Sequence, residues 1–386
     1  MKKQIVLLFV ATMLQISFSH SLFAQSQTYA AWDENGLLLD NNHISRYVLV
    51  ENGHVTTLSL RIPDCATNFV SSEHPEPQWL LERNDLYKTS RPHKGHDAPE
   101  FSFTLNDEVI TGQSAWEVKK ISEFTKDGGN GATILLEGHG LILQVQYLLY
   151  PDLPVIRKRI LIQNISDDQV KVENLNIEAF NISWGNTHNV VYENYARYKH
   201  IGPFVSDWDD PLVAVHSQTE AHGLLLGNEV PGILKRTAAC TDKYNISVGL
   251  THTDQDYPFR VWLERNEQWE SPWTFIIPYK GENPSNAIQS PLAGFVCKHM
   301  GIRLAELEHK PMFVYNTWNP FRTDINEDLI IELADAAAAC GVEEFIIDDG
   351  WQTNRGDWQI DITKFPNGLK PVFDYIKSKG MKPGLW

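Results

Sequence analysis

Residues 345–351 read Phe-Ile-Ile-Asp-Asp-Gly-Trp, a short apolar run that ends in two carboxylates, a glycine and an indole. Such a run predicts a buried strand whose polar end reaches the rim of a sheet. Two further apolar runs, 312–315 (Met-Phe-Val-Tyr) and 381–386 (Met-Lys-Pro-Gly-Leu-Trp), lie before and after it. Helical patterns separate the three runs. This alternation predicts a parallel sheet with crossover helices, in which polar strand ends converge on one side.

The two helical patterns carry start and stop signals. The first is predicted to begin at a capping box of Asp324 and Glu327 and to end at Gly341. The second lies between Gly368 and Gly380. The apolar face of the first helix is predicted to consist of Leu329, Leu333, Ala336, Ala337 and Cys340, with Cys340 as a buried thiol.

The chain upstream of about residue 308 follows a different pattern. Short runs rich in β-branched and aromatic residues, such as 48–50, 133–136, 141–147 and 159–162, alternate with turns rich in Gly, Asn and Asp. Many short strands at this spacing predict a large antiparallel β-sandwich. The chain is therefore expected to hold two domains, a β-domain over 25–307 and an α/β domain over 308–386.

The N-terminus predicts export. Lys2 and Lys3 precede an apolar run at 5–16, and a small residue at Ala24 offers a cleavage site, so 1–24 is interpreted as a secretory signal peptide. That run is shorter than the roughly 20 residues that span a bilayer, so no membrane anchor is expected. We expect a periplasmic or secreted protein.

Composition narrows the function further. The formal net charge of −16 disfavours binding to nucleic acid or to anionic membrane surfaces. The four cysteines have spacings that fix no disulfide pairing, and no Cys-x-x-Cys or His-x-x-x-His pair indicates a metal site or a cofactor. The 12 tryptophans are compatible with stacking on sugar rings, although most indoles form part of a core.

Asp348 and Asp349 allow four interpretations. They could be the acid and nucleophile of a glycosidase, but neighbours on one strand diverge, whereas such a pair must flank one bond. They could be metal ligands, but no His or Glu cluster accompanies them. They could cap the following loop. They could also accept hydrogen bonds from sugar hydroxyls, since carboxylates form strong bidentate bonds. Trp318 and Trp386, at the other two strand ends, would wall such a site, and Trp351 and Trp358 are interpreted as structural support.

At these residues the chain resembles the retaining α-galactosidases of glycoside hydrolase family 36, the melibiases. The barrel motifs that carry the resemblance, in family order, are 316–318, 333–337, 345–351, 356–358, 364–369 and 379–386. In the β-domain they are 149–156, 162–164 and 220–223. The resemblance implies a β-supersandwich followed by a (β/α)₈ barrel, and hydrolysis of terminal α-galactosides with retention through a covalent glycosyl-enzyme.

The resemblance also implies roles for residues. Asp348 and Asp349 would hold the 4- and 6-hydroxyls of galactose, Trp318 and Trp386 would wall the subsite, and Trp351 would complete the substrate-binding set. The family's nucleophile and acid/base belong to later strands, beyond Trp386. The printed chain is therefore expected to stop at the third barrel strand, to leave that barrel open and to be inactive alone. The loop between Trp351 and Gly356 is shorter than the family's.

Three alternatives remain open at this point. The enzyme could be an α-N-acetylgalactosaminidase or a relative of raffinose synthase, because the pocket near the 2-hydroxyl decides between these sugars. The β-domain could instead be the binding module of a secreted carbohydrate-binding protein. It could also be an assembly domain, since family members are often homo-oligomers.

Overall fold

The chain divides into two compact units, Met1–Met300 and Gly301–Trp386. The computed structural model describes residues 29–63, 65–83, 98–184, 189–193, 198–206, 210–230, 232–240, 246–300 and 312–386. The predicted signal peptide (1–24) lies outside the described residues. The predicted domain boundary at 307/308 falls in the segment 301–311, which also lies outside them, so both stay predictions.

The described part of the first unit consists mainly of strands. In chain order they are β1 (Ala30–Trp32), β2 (Gly36–Asp40), β3 (Ser45–Glu51), β4 (His54–Arg61), β5 (Glu100–Leu105), β6 (Glu108–Thr111), β7 (Glu117–Lys126), β8 (Gly129–Gly138), β9 (Leu141–Tyr150), β10 (Leu153–Asn164), β11 (Val170–Phe180), β12 (Asn189–Glu193), β13 (Tyr198–Ile201), β14 (Phe204–Val205), β15 (Leu212–Ser217), β16 (His222–Asn228), β17 (Lys235–Ala239), β18 (Ile246–Leu250), β19 (Arg260–Leu263), β20 (Gln268–Glu270) and β21 (Thr274–Lys280).

Helical segments in this unit are short. They are α1 (Gln78–Arg83), a 3₁₀ turn (Gly232–Leu234), α2 (Ser285–Ala287), a π-helical turn (Ile288–Leu292), α3 (Ala293–Phe295) and a second π-helical turn (Val296–Met300). Among all described helices of the chain, none is long and apolar enough to cross a membrane.

The strands form three antiparallel sheets within the described residues. One sheet has the order β1-β2-β3-β4. The largest runs β13-β12-β15-β16-β21-β10-β9-β8-β7, with β20 beside β10, and the third runs β14-β17-β18-β11-β5-β6, with β19 beside β11. The exposed strand β7 lies at an edge and carries charged side chains, which discourages pairing with another chain. The predicted β-rich, antiparallel first domain is confirmed.

A buried network of charged side chains joins the three sheets. Arg46 on β3 donates from Nη1 to Glu178 Oε1 and from Nη2 to Glu100 Oε1, both at 2.7 Å. Lys158 on β10 donates from Nζ to Glu100 Oε1 at 2.8 Å and to Glu178 Oε2 at 3.2 Å. The four side chains are at most 1% exposed. Two cations therefore compensate two carboxylates within the core, as buried charges require.

Two hydroxyl groups complete the hydrogen bonding of Glu100. Tyr147 Oη donates to Glu100 Oε1 and Thr57 Oγ1 donates to Glu100 Oε2, each at 2.5 Å. Burial and the neighbouring carboxylate together raise the pKa of Tyr147 well above its usual value, so the phenol keeps its proton. The Glu100 carboxylate, on a strand of the third sheet, thus has partners on strands of the other two.

The described part of the second unit alternates strands and helices. Its elements are β22 (Val314–Asn316), α4 (Trp318–Phe321), α5 (Glu327–Ala339), β23 (Glu344–Ile347), α6 (Leu369–Ser378) and β24 (Lys382–Leu385). The sheet has the order β22-β23-β24, and both pairings are parallel. The predicted α/β region is confirmed, whereas closure into an eight-stranded barrel stays a prediction.

Helix α5 departs from the sequence prediction in three details. Its N-cap is Asn326, whose side chain accepts from Leu329 N, so Asp324 is not the cap. Its fully buried face consists of Ile330, Ala334 and Ala337, spaced by four and three residues, which turns Ala336 towards solvent. Cys340 follows the helix on that exposed side, so the prediction of a buried thiol is wrong.

Candidate active site

The ends of the three parallel strands meet at one edge of the sheet. Asn316 pairs with Ile346, and Ile347 pairs with Leu385. The residues that follow the strands are therefore neighbours, as expected for parallel strands in register. Backbone bonds continue this alignment past the strand ends, because Trp386 N donates to Ile347 O at 3.0 Å. Asp348, Asp349 and the backbone of Trp386 thus come together at this edge.

Asp348 is oriented by the end of the first strand. Asn316 Nδ2 donates to Asp348 Oδ2 at 2.7 Å, and Asp348 N donates to Thr317 Oγ1 at 3.0 Å. Its other carboxylate oxygen accepts from Asp349 N at 2.8 Å. A carboxylate has about four lone-pair positions, so two remain for a ligand. Asp348 is half-buried, which leaves those positions accessible.

Asp349 lies deeper and is already paired. Its Oδ2 accepts from Arg355 Nε at 3.2 Å and also from Arg355 Nη2, and its Oδ1 accepts from Gln352 Nε2. The hydrogen bond from Arg355 holds the pKa of the Asp349 carboxyl below its usual value. The Asp349 side chain is 8% exposed and that of Arg355 is 67% exposed. A ligand could thus displace a cation that remains largely in water.

Gly350 permits the sharp turn after the two carboxylates. Its φ is +114°, a conformation that favours glycine, and a Cβ there would lie 2.6 Å from Thr323 O. Lys364 Nζ stabilises this turn, because it donates to Thr323 O at 2.8 Å and to Gly350 O at 3.0 Å. The loops after β22 and β23 are therefore joined beside the carboxylates.

Three indoles form a cluster next to this pair. Trp351 is 6% exposed and its Nε1 donates to Trp386 O at 2.8 Å. Trp358 stacks on Trp351 and meets the edge of Trp386, with ring centroids 6.2 Å apart in each case. Trp358 and Trp386 are 50% and 51% exposed. The guanidinium of Arg355 lies 5.6 Å from the Trp386 ring centroid, so the cluster extends to the cation that holds Asp349.

Trp318 joins this region through its backbone. Its N donates to Asn316 Oδ1 at 2.7 Å, which leaves the Asn316 amide free to donate to Asp348. Its ring lies 4.8 Å from the guanidinium carbon of Arg322. The structure therefore gathers Asp348, Asp349, Trp351 and Trp386, whereas Trp318 connects to them through Asn316. Their predicted roles in substrate binding stay predictions.

Several residues that contribute to this site are not indicated by the sequence pattern. Asn316 lies in the first strand-end motif, but only its partner Asp348 was singled out. Arg355 lies in the short loop after Trp351, and nothing in the sequence indicated that it reaches Asp349. Trp358 was interpreted as structural support, yet half of its surface is exposed. A search for cations within one short loop of the Asp-Asp pair could have found Arg355.

The arrangement supplies acceptors and an apolar wall. Its carboxylates are fixed by hydrogen bonds, and Trp386 presents an exposed ring beside them. Such a combination suits a polar ligand that carries adjacent hydroxyls. Within the described ranges, no group of three or more His, Cys, Asp or Glu side chains is placed to hold a metal ion.

Comparisons with known proteins point to one group. The Melibiase family model matches residues 269–386. An α-galactosidase of Escherichia coli is 37% identical over 131 residues, which are 32% of this chain and 18% of that protein. Alpha-galactosidase 1 of Pediococcus pentosaceus is 25% identical over 275 residues, which are 63% of this chain and 36% of that protein.

Solved structures extend the likeness to the fold of most of the chain. The α-galactosidase of Lactobacillus brevis matches with a TM-score of 0.68 at 17% identity and covers 91% of this chain and 54% of its own. The GH36 α-galactosidase AgaA of Geobacillus stearothermophilus matches with a TM-score of 0.66 at 17% identity, covering 91% and 56%. The chain thus spans about half the length of these relatives.

Proposed function

We propose that this chain belongs to the melibiase family of GH36 α-galactosidases, whose family model matches residues 269–386, and that it serves the release of terminal α-linked galactose from oligosaccharides or polysaccharides. The proposed reaction retains configuration and passes through a covalent glycosyl-enzyme. Forms of the Geobacillus relative have been solved with raffinose and with stachyose, and both sugars carry α-linked galactose. The substrate proposed here is of the same class.

We propose that Asp348 is the main hydroxyl acceptor. The observation that supports this role is its fixed orientation, through Asn316 and Thr317, together with two lone-pair positions that accept no hydrogen bond from the described residues. An axial 4-hydroxyl of galactose would occupy such a position, whereas the equatorial hydroxyl of glucose would leave it empty. An acceptor that a bound sugar shields from water and leaves without a donor costs binding energy, which gives discrimination between the two sugars.

In this proposal Asp349 is a second hydroxyl acceptor, and it exchanges a protein partner for the ligand. The 6-hydroxyl would replace one bond from Arg355, whose largely exposed guanidinium can return to water. The ring of Trp386, with Trp351 behind it, would cover the apolar face of the sugar. Neither aspartate is assigned to bond cleavage, because adjacent residues at one strand end do not flank a glycosidic bond.

Titration with galactose, followed by tryptophan fluorescence, tests this proposal. Wild-type protein should bind galactose saturably, and Asp348→Asn should weaken binding by about tenfold or more, since it removes a charge-assisted bond. Asp374→Asn, a carboxylate in an exposed ion pair on α6, should bind like wild type. Glucose and N-acetylgalactosamine in parallel titrations define the preferred sugar.

Two results would contradict the proposal. One is unchanged galactose affinity in Asp348→Asn with an unchanged thermal midpoint. The other is glucose binding as tightly as galactose. Hydrolysis of an aryl α-galactoside, measured on the same preparations, reports turnover separately from binding.

A further inference from the structure

A polar hollow lies on the outer face of the β14-β17-β18-β11-β5-β6 sheet, within the first unit. Its volume is about 350 Å³, which is enough for a molecule of monosaccharide size. It is lined by residues of β5, β6, β11, β17 and β18 and by the segment 252–254. None of these residues belongs to the strand-end site, so the hollow needs an explanation of its own.

A row of paired strand positions that includes a glycine crosses the sheet at this hollow. Across the sheet, Arg236 pairs with Gly249, Gly249 with Asn176, and Asn176 with Ser102. At Gly249 a Cβ would lie 2.1 Å from Leu175 O, so no other residue fits without a shift of the backbone. The strands carrying Arg236 and Asn176 are thus held on either side of a strand whose backbone passes close to Leu175.

The two asparagines of the floor have fixed orientations. Thr253 N donates to Asn174 Oδ1 at 2.8 Å, and a backbone N–H can only donate, so Asn174 Nδ2 must point the other way. His252 Nε2 lies 3.1 Å from Asn176 Oδ1 and engages that oxygen in the same manner. The amide oxygens are therefore used within the protein.

Hydroxyl groups in the hollow are left as donors. Each of three hydroxyl oxygens accepts one bond from a neighbouring N–H: Ser102 from Asn176 at 2.9 Å, Thr104 from Asn174 at 2.9 Å, and Ser247 from Arg236 Nη1 at 3.0 Å. A hydroxyl that accepts in this way keeps its own O–H available to donate. The three hydroxyls thus offer up to three donors to a molecule in the hollow.

Arg236 adds an under-compensated cation. Its Nε is buried and has no hydrogen-bond partner among the described residues. Burial lowers the pKa of the Arg236 guanidinium, and the charge of Asp254 opposes this effect. Asp254 is exposed at the rim and is the one carboxylate among the described residues that line the hollow. Among the described residues, the guanidinium therefore has no close counter-charge.

We propose that this hollow binds the oxyanion, carboxylate or phosphate, of a small polar ligand. The three hydroxyls and the guanidinium supply donors, and the cation carries a planar fork that suits such groups. A neutral sugar carries no charge to pair with the guanidinium, and each amide oxygen already accepts a hydrogen bond within the protein. The proposal does not depend on the α-galactosidase assignment, since it uses residues of the first unit alone.

Calorimetric titration of the full chain tests the proposal with three probes. D-galacturonate supplies a carboxylate, inorganic phosphate supplies a phosphate, and neutral D-galactose differs from galacturonate only at the sixth carbon. We expect saturable binding of galacturonate, of phosphate or of both, and the pattern identifies the preferred oxyanion. Asp348→Asn should leave this binding unchanged, and excess galactose should not displace it.

Two variants act in opposite directions. Arg236→Gln should weaken oxyanion binding by about tenfold or more, because it removes the cation and its fork. Asp254→Asn should tighten binding by about two- to fivefold, because it removes an exposed like charge near the ligand. If Arg236→Gln does not fold, the increase in oxyanion affinity in Asp254→Asn tests the proposal by itself. Asp254 lies at the surface, so its replacement should not disturb folding.

The proposal is overturned if neither anion binds saturably, if Arg236→Gln folds and binds as tightly as wild type, or if Asp254→Asn shows no gain. Displacement by galactose at comparable concentration would also overturn it, because the hollow would then recognise a neutral polyol.

Discussion

Glu100 in the first unit and Asp349 in the second are both carboxylates held by cations, but their surroundings differ. Glu100 is fully buried, and its partners Arg46 and Lys158 are at most 1% exposed. Asp349 is nearly as buried, yet its partner Arg355 is 67% exposed. The exposure of the cation, rather than that of the carboxylate, distinguishes the two pairs.

This difference indicates what each pair can do. Around Glu100, no partner can leave without stranding a charge in the core, so the network fixes how three sheets pack. Around Asp349, the guanidinium can move into water at small cost, so the carboxylate can change partners. Similar ionic contacts therefore lock one region and leave the other able to accept a ligand.

The largest expected effect tests the locked region. Glu100→Gln removes the carboxylate between Arg46 and Lys158 and should lower the free energy of unfolding by about 3–5 kcal/mol, since two cations lose a buried counter-charge. Urea unfolding followed by circular dichroism measures the change. Glu270→Gln is the matched control, because it breaks the pair between Arg159 and a 60% exposed carboxylate and should cost about 1 kcal/mol or less. If Glu100→Gln lowers the free energy of unfolding by less than about 1 kcal/mol, the buried charge network does not determine how the sheets pack.

Acid titration sharpens the same point. Burial alone would raise the pKa of Glu100, but the charges of Arg46 and Lys158 outweigh it and hold that pKa well below its usual value. A carboxyl with a lowered folded-state pKa stabilises the fold above its unfolded pKa of about 4.3, and this stabilisation is lost as the pH falls further. The unfolding free energy should therefore fall below about pH 4.3, by up to roughly 1.4 kcal/mol per pH unit from this group.

The control for the acid titration is Glu100→Gln itself. Its unfolding free energy should depend less steeply on pH in the same range, because glutamine does not titrate. Equal slopes for the two proteins would show that other carboxyl groups cause the acid sensitivity.

The smallest expected effect tests the exchangeable pair. Arg355→Gln should cost about 1 kcal/mol of stability or less, because the cation is mostly in water. It should also raise the pKa of Asp349 towards its ordinary value, so the loss of galactose binding on acidification should begin at a higher pH. Galactose affinity measured between about pH 3 and 7 reveals this shift.

Arg322→Gln provides the matched comparison, since that guanidinium lies over the ring of Trp318. The loss of galactose affinity at acidic pH should occur over the same pH range in this variant as in wild type. An equal shift of this pH range in both variants would indicate a general effect of removing a positive charge rather than the loss of the Arg355 contact.

Much of the second unit followed from sequence pattern. The apolar runs predicted three strands, and parallel pairing placed their polar ends together. The helix caps were less predictable, because Asp324 and Asn326 are both good capping residues and only the path of the chain selects Asn326. The exposed position of Cys340 follows from the buried face of α5, which consists of Ile330, Ala334 and Ala337 and does not extend to residue 340.

Contacts between distant residues lay beyond the reach of sequence pattern. Arg46 and Glu178 are separated by 132 positions, and each alone in a strand reads as an ordinary surface charge. The Asp349–Arg355 contact spans only six positions, but it depends on the turn at Gly350. The sequence pattern correctly predicted that the polar strand ends lie together. It did not predict that Arg355 binds Asp349, because that contact depends on the path of the loop.

The link made by Lys364 has an evolutionary consequence. Its amine holds two main-chain carbonyls, at Thr323 and Gly350, rather than any side chain. Every residue type supplies a carbonyl, so a relative that loses the lysine has no complementary substitution available at 323 or 350. Correlated mutations in an alignment would therefore not reveal this contact, although replacing the lysine would loosen two loops at once.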